Sequence, residues 1–221
     1  MQTQQRLRAS KTTSGLIVEN LRQAILRGRF KENEPIRQHE LANELGVSVI
    51  PIREALFVLE SEGLITFYPN RGAVVSSLSV QEVDEIYEMR IALESLALQR
   101  AMSNQRPSDL AQAKAVLTLL DEEAGDITRW SELNWEFHLA LYKPANMPRL
   151  IETVRMLHHN VARYFVIYQE LNYRTQSQAE HYSLVEACER KDSTTALACL
   201  QTHLRASAEA LRSRLDKRST S

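Results

Sequence analysis

Apolar positions fall at helical spacing on both sides of a short segment, residues 63–76, that reads as strand and turn. Before it, Leu41, Ala42 and Leu45 form a small apolar face, and Gly46 is placed to end that helix in the left-handed conformation. Ser48 is placed to cap a second helix whose Ile52, Leu56 and Leu59 share one face, with Pro51 in the first turn, where no internal donor is lost. After Gly63, residues 64–68 and 73–76, joined by Pro69-Asn70-Arg71-Gly72, predict a two-stranded wing. From Leu78 on, Gly and Pro are sparse, β-branched runs disappear and helical periodicity continues to the end. Ser79 with Glu82 makes a capping box that opens a long helix through Ile86, Met89, Leu93 and Ala97. Further helices are predicted from Pro107-Ser108 through Leu120, over 127–142, 149–170 and 175–190, and over 193–215 with Asp192 as cap. The fold class is therefore mainly α, a small domain with a two-stranded wing followed by an all-α bundle. The expected organisation is a flexible tail (1–12), the first domain (13–76), a hinge (77–79), the bundle (80–215) and a tail (216–221).

Two helices joined through a Gly turn form the helix-turn-helix device, whose second helix enters the major groove. Together with Ile25, Leu26 and Gly28, the run LANELGVSVIPIREALFVLESEGLI at 41–65 and Arg71-Gly72-Ala73 resemble the winged-helix domain of the GntR family of bacterial transcription regulators. The resemblance implies a homodimer on a palindromic duplex, with His39, Ser48, Val49, Arg53, Arg71 and Gly72 at its DNA-facing positions. Arg53 lies early in the reading helix, where arginine suits a bidentate contact to guanine; its competing reading is a salt bridge to Glu54 or Glu60. Arg71 at the wing tip suits a phosphate or the minor groove. Many relatives carry arginine where this chain has Val49, which can touch a thymine methyl but cannot pair with guanine. The family's Pro-Gly turn before the first helix of the pair is replaced by Glu32-Asn33.

The charge is close to balanced, −1 over 221 residues, which excludes a protein that coats DNA by bulk charge. It is uneven, with ten basic and eight acidic side chains in residues 1–75 against 17 and 20 in the rest. Arg6, Arg8 and Lys11 fit two roles equally, contacts to phosphates or a solubilising tail. No apolar run is long enough to span a bilayer and residues 1–13 lack a signal-peptide core, so a cytoplasmic location without a membrane partner is expected. Cys188 and Cys199, the only cysteines, leave no disulfide framework or cysteine-based zinc module.

In the bundle, Asn134 and His138 are four residues apart and project from one helical face, while His181 and His203 lie on later helices. Imidazoles from separate helices with one oxygen ligand make a mononuclear metal site. His39, His158 and His159 are assigned no metal. The arrangement resembles the FCD domain, the effector-binding half of the FadR-type branch of the same family, over residues 80–215. That resemblance implies a divalent ion (zinc, nickel or manganese) on Asn134, His138, His181 and His203, and a small organic acid as effector, bound by Arg90 and Arg163, with Tyr164 also lining the cavity. The competing reading of Arg90 is an intrahelical pair with Glu94. Trp130 and Trp135 read as core or interface aromatics. Relatives commonly have aspartate where this chain has Asn134, so its site keeps the full charge of the ion and favours an anion. The expected function is a repressor released by ligand, and not an enzyme. Two alternatives remain: a metal-dependent enzyme with Glu136 as base, or a DNA-binding protein whose helical half only dimerises.

Overall fold

The computed structural model describes residues 2–123, 125–162, 164 and 173–219. The chain divides into two compact units, Met1–Ser77 and Leu78–Ser221.

The first unit contains α1 (Gln2–Leu26), α2 (Gln38–Leu45), α3 (Val49–Ser61), β1 (Ile65–Tyr68) and β2 (Gly72–Val75). Helix α1 begins at Gln2, so positions read from the sequence as a flexible tail belong to a helix. Its Ile17, Leu21 and Ile25 pack with Ile52, Ala55, Leu56 and Leu59 of α3, and these last four are completely buried. Their spacing is that of one helical face, which is why α3 lies flat on the core. Gly46 ends α2 with φ 65°, as its position predicts, and the tight turn leads directly into α3. Leu45, expected in the apolar face of α2, is instead 36% exposed. An ion pair joins α1 to the end of α3: Arg22 grips Glu62 with Nε–Oε2 at 2.9 Å and Nη2–Oε1 at 2.6 Å.

Strands β1 and β2 pair antiparallel in the register Ile65↔Val75 to Tyr68↔Gly72, one residue shorter at the outer ends than the sequence suggests. Left-handed Asn70 (φ 66°) and Gly72 (φ 71°) close the wing turn. The free side of β2 is covered by the segment before α2, where Asn33 N–H donates to Val75 O (2.9 Å) and Ile36 N–H to Ala73 O (2.8 Å). Asn33 itself has φ 61°, so it takes over the conformational role of the missing glycine in the Glu32-Asn33 turn.

The second unit contains α4 (Val80–Met102), α5 (Pro107–Glu122), α6 (Ile127–Tyr142), a short 3-10 turn (Lys143–Ala145), α7 (Pro148–Ala162), α8 (Tyr173–Glu189) and α9 (Ser193–Ser219). The Ser79–Glu82 capping box closes reciprocally at 3.2 and 2.8 Å, and Asp192 accepts from Thr195 N–H at 3.0 Å to open α9. Several helix bounds differ from expectation by a few residues. Helix α7 is described to Ala162, and residues 163 and 165–170 of the predicted 149–170 helix lie outside the described residues; α8 starts at Tyr173 rather than 175, and α9 continues past Leu215 to Ser219. Helix α4 packs on α6, α7 and α9, and α8 packs on α5 and α9. Tyr87, Leu98, Leu117, Phe137 and Tyr142 fill the interior between them. Among the described residues, no helix is long and apolar enough to cross a membrane.

Candidate nucleic-acid interface and metal centre

Helix α3 turns one face to the core and leaves Ile50, Arg53, Glu54, Phe57 and Val58 exposed. Arg53 lays its guanidinium over the Phe57 ring at 5.5 Å, and Phe57 leans on Phe67 of the wing with ring centroids 4.9 Å apart. Among the described residues, neither Glu54 nor Glu60 pairs with it; Glu60 instead accepts from the Phe67 N–H at 3.0 Å. The salt-bridge alternative for Arg53 is therefore not the one the fold adopts. Ser48 holds the N-cap position with extended backbone (φ −73°, ψ 164°), but its hydroxyl makes no capping bond, contrary to expectation. Val49 also departs from expectation, because it is partly buried against the core of the first unit and its neighbour Ile50 is the outward apolar side chain. His39, Arg71 and Gly72 are exposed, and the Arg71 guanidinium lies 5.9 Å from the Tyr68 ring.

In the second unit, α6, α8 and α9 bring His138, His181 and His203 together, each with a ligand nitrogen within 4.8 Å of the others. Two nitrogens sharing one ion at about 2.1 Å lie roughly 3–4 Å apart, so little closure separates this triad from a coordinating set. Phe137 lies against His138 and His181, with ring centroids 5.0 and 4.6 Å away. Hydrogen bonds fix all three rings in the same sense. His203 Nδ1 donates to Glu180 Oε2 at 2.8 Å. His181 Nδ1 donates to Gln178 Oε1 at 3.2 Å, and the Gln178 amide is held in that orientation by its NH2 donating to Leu117 O at 2.9 Å. His138 Nδ1 donates to the Tyr142 hydroxyl at 3.2 Å, because that hydroxyl spends its own proton on Glu94 Oε2 at 2.6 Å. With every Nδ1 carrying the proton, every Nε2 keeps a lone pair, the tautomer that metal ligation requires.

Buried orphan atoms agree with that purpose. His138 Nε2, His181 Nε2 and Asn134 Oδ1 lie inside the bundle with no hydrogen-bond partner. Such groups are expensive to leave unsatisfied, and a divalent ion would satisfy all three at once. Asn134 is oriented by His158, whose Nε2 accepts from Asn134 Nδ2 at 3.1 Å, leaving the carbonyl oxygen as the ligand atom. Burial first, with the neighbouring His203 ring and the Arg90 guanidinium, pushes His138 well below its ordinary pKa; burial with the neighbouring His203 and His138 rings does the same to His181. Both rings are thus neutral and available near neutral pH. The Glu180 carboxyl is resisted by burial, yet the hydrogen bonds from His203 and Gln176 hold it below its usual range.

Arg90 is only 3% exposed and its Nε meets Glu94 Oε1 at 2.8 Å, with the Tyr87 ring 4.8 Å from the guanidinium. The intrahelical pair that the sequence offered as the competing reading is thus formed, and it extends as a buried relay Arg90–Glu94–Tyr142–His138. Arg163 lies outside the described residues. Tyr164 is used structurally, its hydroxyl accepting from Leu78 N–H at 2.9 Å. Trp130 is a core residue with the Arg174 guanidinium 5.3 Å from its ring, and half-buried Trp135 stands 5.4 Å from His158. Glu136, the base that a metalloenzyme would need, is exposed and faces Arg129 at 3.8 Å. Sequence reasoning missed Tyr142, Gln178 and Glu180. The first two sit four and three residues from their histidines, a usable signal, whereas Glu180 reaches His203 only through tertiary packing.

Residues 13–75 match the model of the bacterial regulatory proteins of the gntR family, and residues 85–206 match the FCD domain. The chain is 34% identical over 145 residues to the HTH-type transcriptional regulator McbR of Escherichia coli K12, a match covering 64% of this chain and 66% of McbR, just under two thirds of that protein's length. It is 30% identical over 208 residues to the uncharacterized HTH-type transcriptional regulator YdhC of Bacillus subtilis, covering 89% and 90% of the two chains. The HTH-type transcriptional repressor GlaR of E. coli is 28% identical over 195 residues, covering 83% of this chain and 89% of GlaR. The solved structure of E. coli McbR/YncC superposes with a TM-score of 0.78 at 26% identity, over 91% of this chain and 97% of that one.

Proposed function

This chain belongs to the GntR family of bacterial regulatory proteins, with an FCD domain as its helical half, and on that premise we propose that it is a repressor released by a small organic acid bound at a metal ion. DNA-binding transcription regulation follows from the family; the metal, the acid and the direction of the response are our reading. In it, two copies bind a palindromic operator as a homodimer, because one reading helix covers too few base pairs for specific binding. Arg53 reads guanine, Arg71 holds the backbone or minor groove at the wing, and His39, Ser48 and Gly72 contact the duplex beside them. The name of GlaR, a repressor, supports the sign of the response.

The single observation that carries the effector site is the convergence of three buried imidazoles, two of them with a partnerless Nε2, in the bundle that also buries the partnerless Asn134 Oδ1. His138, His181, His203 and Asn134 would hold a divalent ion, zinc, nickel or manganese, which supplies Lewis acidity and a positive charge to an incoming ligand. These four ligands bring no charge, and Arg90 is neutralised by Glu94, so the ion's own charge governs what binds. A carboxylate suits it, with a hydroxyl or carbonyl beside it for chelation. An anion arriving there competes with Glu94 for Arg90 on α4, the helix that follows the 77–79 link between the units; a ligand alters operator affinity only by favouring one state of such an element.

A thermal-shift screen of organic acids, run on metal-loaded and on chelated protein, tests this. Acids should raise the melting temperature of the loaded form alone, and Arg90→Ala should keep operator binding but lose the response. A best ligand that is neutral or cationic, or that binds chelated protein equally well, would overturn the carboxylate-on-metal mechanism.

A further inference from the structure

Helix α3 sorts its apolar side chains sharply. Ile52, Ala55, Leu56 and Leu59 are completely buried and Val49 is half-buried against the core, yet Ile50 is 69% exposed, the most exposed large hydrophobic side chain among the described residues. It stands in the first turn of the helix, two residues after the exposed Ser48 and three before the exposed Arg53. Among the described residues of the first unit it is left largely open, so an apolar side chain there gains little from the fold. In the major groove the thymine C5-methyl is the apolar group that an isoleucine can meet.

We propose that Ile50 is a specificity-determining residue that reads a thymine methyl in each operator half-site, in place of the arginine that relatives use one position earlier. Val49 does not take that part, since its side chain is partly buried against the core of the first unit. Three residues along a helix advance about 4.5 Å, little more than the roughly 3.4 Å between stacked bases, so the thymine lies within one or two steps of the guanine read by Arg53. The half-site read by α3 is therefore a G with a T close by, and the loss of a guanine-reading arginine is compensated by an apolar contact. This inference rests on α3 being the reading helix.

The test uses the full chain and a duplex selected with it from random sequence. Each thymine is replaced in turn by deoxyuridine, which deletes the methyl alone, and wild type is compared with Ile50→Ala. Wild type should lose about fourfold in affinity at one position per half-site, the worth of one buried methyl group. Ile50→Ala should bind the thymine duplex correspondingly more weakly and be indifferent to uridine at that position, with an unchanged melting temperature because the side chain is exposed. Equal methyl dependence in both proteins, or none in wild type, overturns the inference. Arg53→Ala separates the two failures: if it weakens binding while Ile50→Ala keeps its methyl dependence, only Ile50 leaves the contact; if it binds as wild type, α3 itself is misplaced and the inference goes with it.

Discussion

The first unit keeps its chemistry outside, with His39, Ser48, Arg53 and Arg71 exposed over a core of apolar side chains alone. In the second unit, by contrast, Arg90, Glu94, Asn134, His138, His181 and His203 are each 4% exposed or less, and among the described residues every buried polar side chain belongs to this half. The difference fits what each is proposed to bind. A duplex comes to the surface, so exposed groups that read it, such as Ile50 and Arg53, can change without touching the core. A small ligand or ion must be enclosed, and every enclosed polar group needs a partner or it costs stability. The bundle site is thus over-determined by Tyr142, Gln178, Glu180 and His158, while the reading surface is not. Substitutions on the surface should change affinity and leave melting alone; substitutions in the bundle should change both.

The largest effect that divides the units is expected at the ligands. His138→Ala or His203→Ala should remove the metal, measured by elemental analysis after reconstitution. Because the ion binds the folded bundle, saturation at a hundredfold over Kd contributes about 2.7 kcal/mol. Its loss should lower the melting temperature by roughly 5–10 °C. A tenth of an ion or less per chain in reconstituted wild type, with unaltered melting, would remove the metal from the account. Arg53→Ala should cost about 1–3 kcal/mol in operator affinity and nothing in melting, which titration of one duplex with both proteins checks. If it melted appreciably lower, the two-unit contrast would fail at its most exposed point.

Smaller effects sharpen the contrast. Tyr142→Phe and Glu180→Ala leave the four ligands in place but withdraw the acceptors that fix His138 and His203, so metal affinity should fall about tenfold in a competition titration. Asn134→Asp should raise it by adding a negative charge. Chelated protein should become acid-sensitive. His138, His158 and His181 have lowered pKa values in the fold, burial being the first cause, while unfolded histidine titrates near about 6.5. The unfolded chain then binds more protons below that pH, so stability is full above about 6.5 and falls as pH drops through it. Denaturant midpoints that stay level from pH 7 to 5 would contradict the burial of neutral rings. Least of all, Arg71→Ala should weaken operator binding modestly and reduce the slope of affinity against salt by about one, with no change in base preference.

Features set by local chemistry were legible in the sequence. Gly46, the Ser79–Glu82 box, the Asp192 cap and the bounds of α6 all follow from side chains within four residues of one another. What was not legible depends on neighbours distant in the chain. Which of Val49 and Ile50 faces outward is decided by how α3 packs on the core of the first unit, and nothing in the local pattern says so. The His triad could be named from spacing and resemblance, but its tautomers depend on Leu117, Gln178, Glu180 and Glu94, which pack from other turns and other helices. Arg90 was read toward a ligand and is held by Glu94, because burial makes an ionic partner obligatory before any ligand arrives.

The central claim is that an organic acid reaches the operator only through the metal, and one measurement tests it most directly. Operator affinity of the full chain is titrated in four states, with and without the divalent ion and with and without the best acid from the thermal screen. The account predicts that the acid weakens operator binding, about tenfold or more for a coupling of 1–3 kcal/mol, in the metal-loaded state and has no effect after chelation. An equal response in chelated protein, or none in loaded protein, would contradict it.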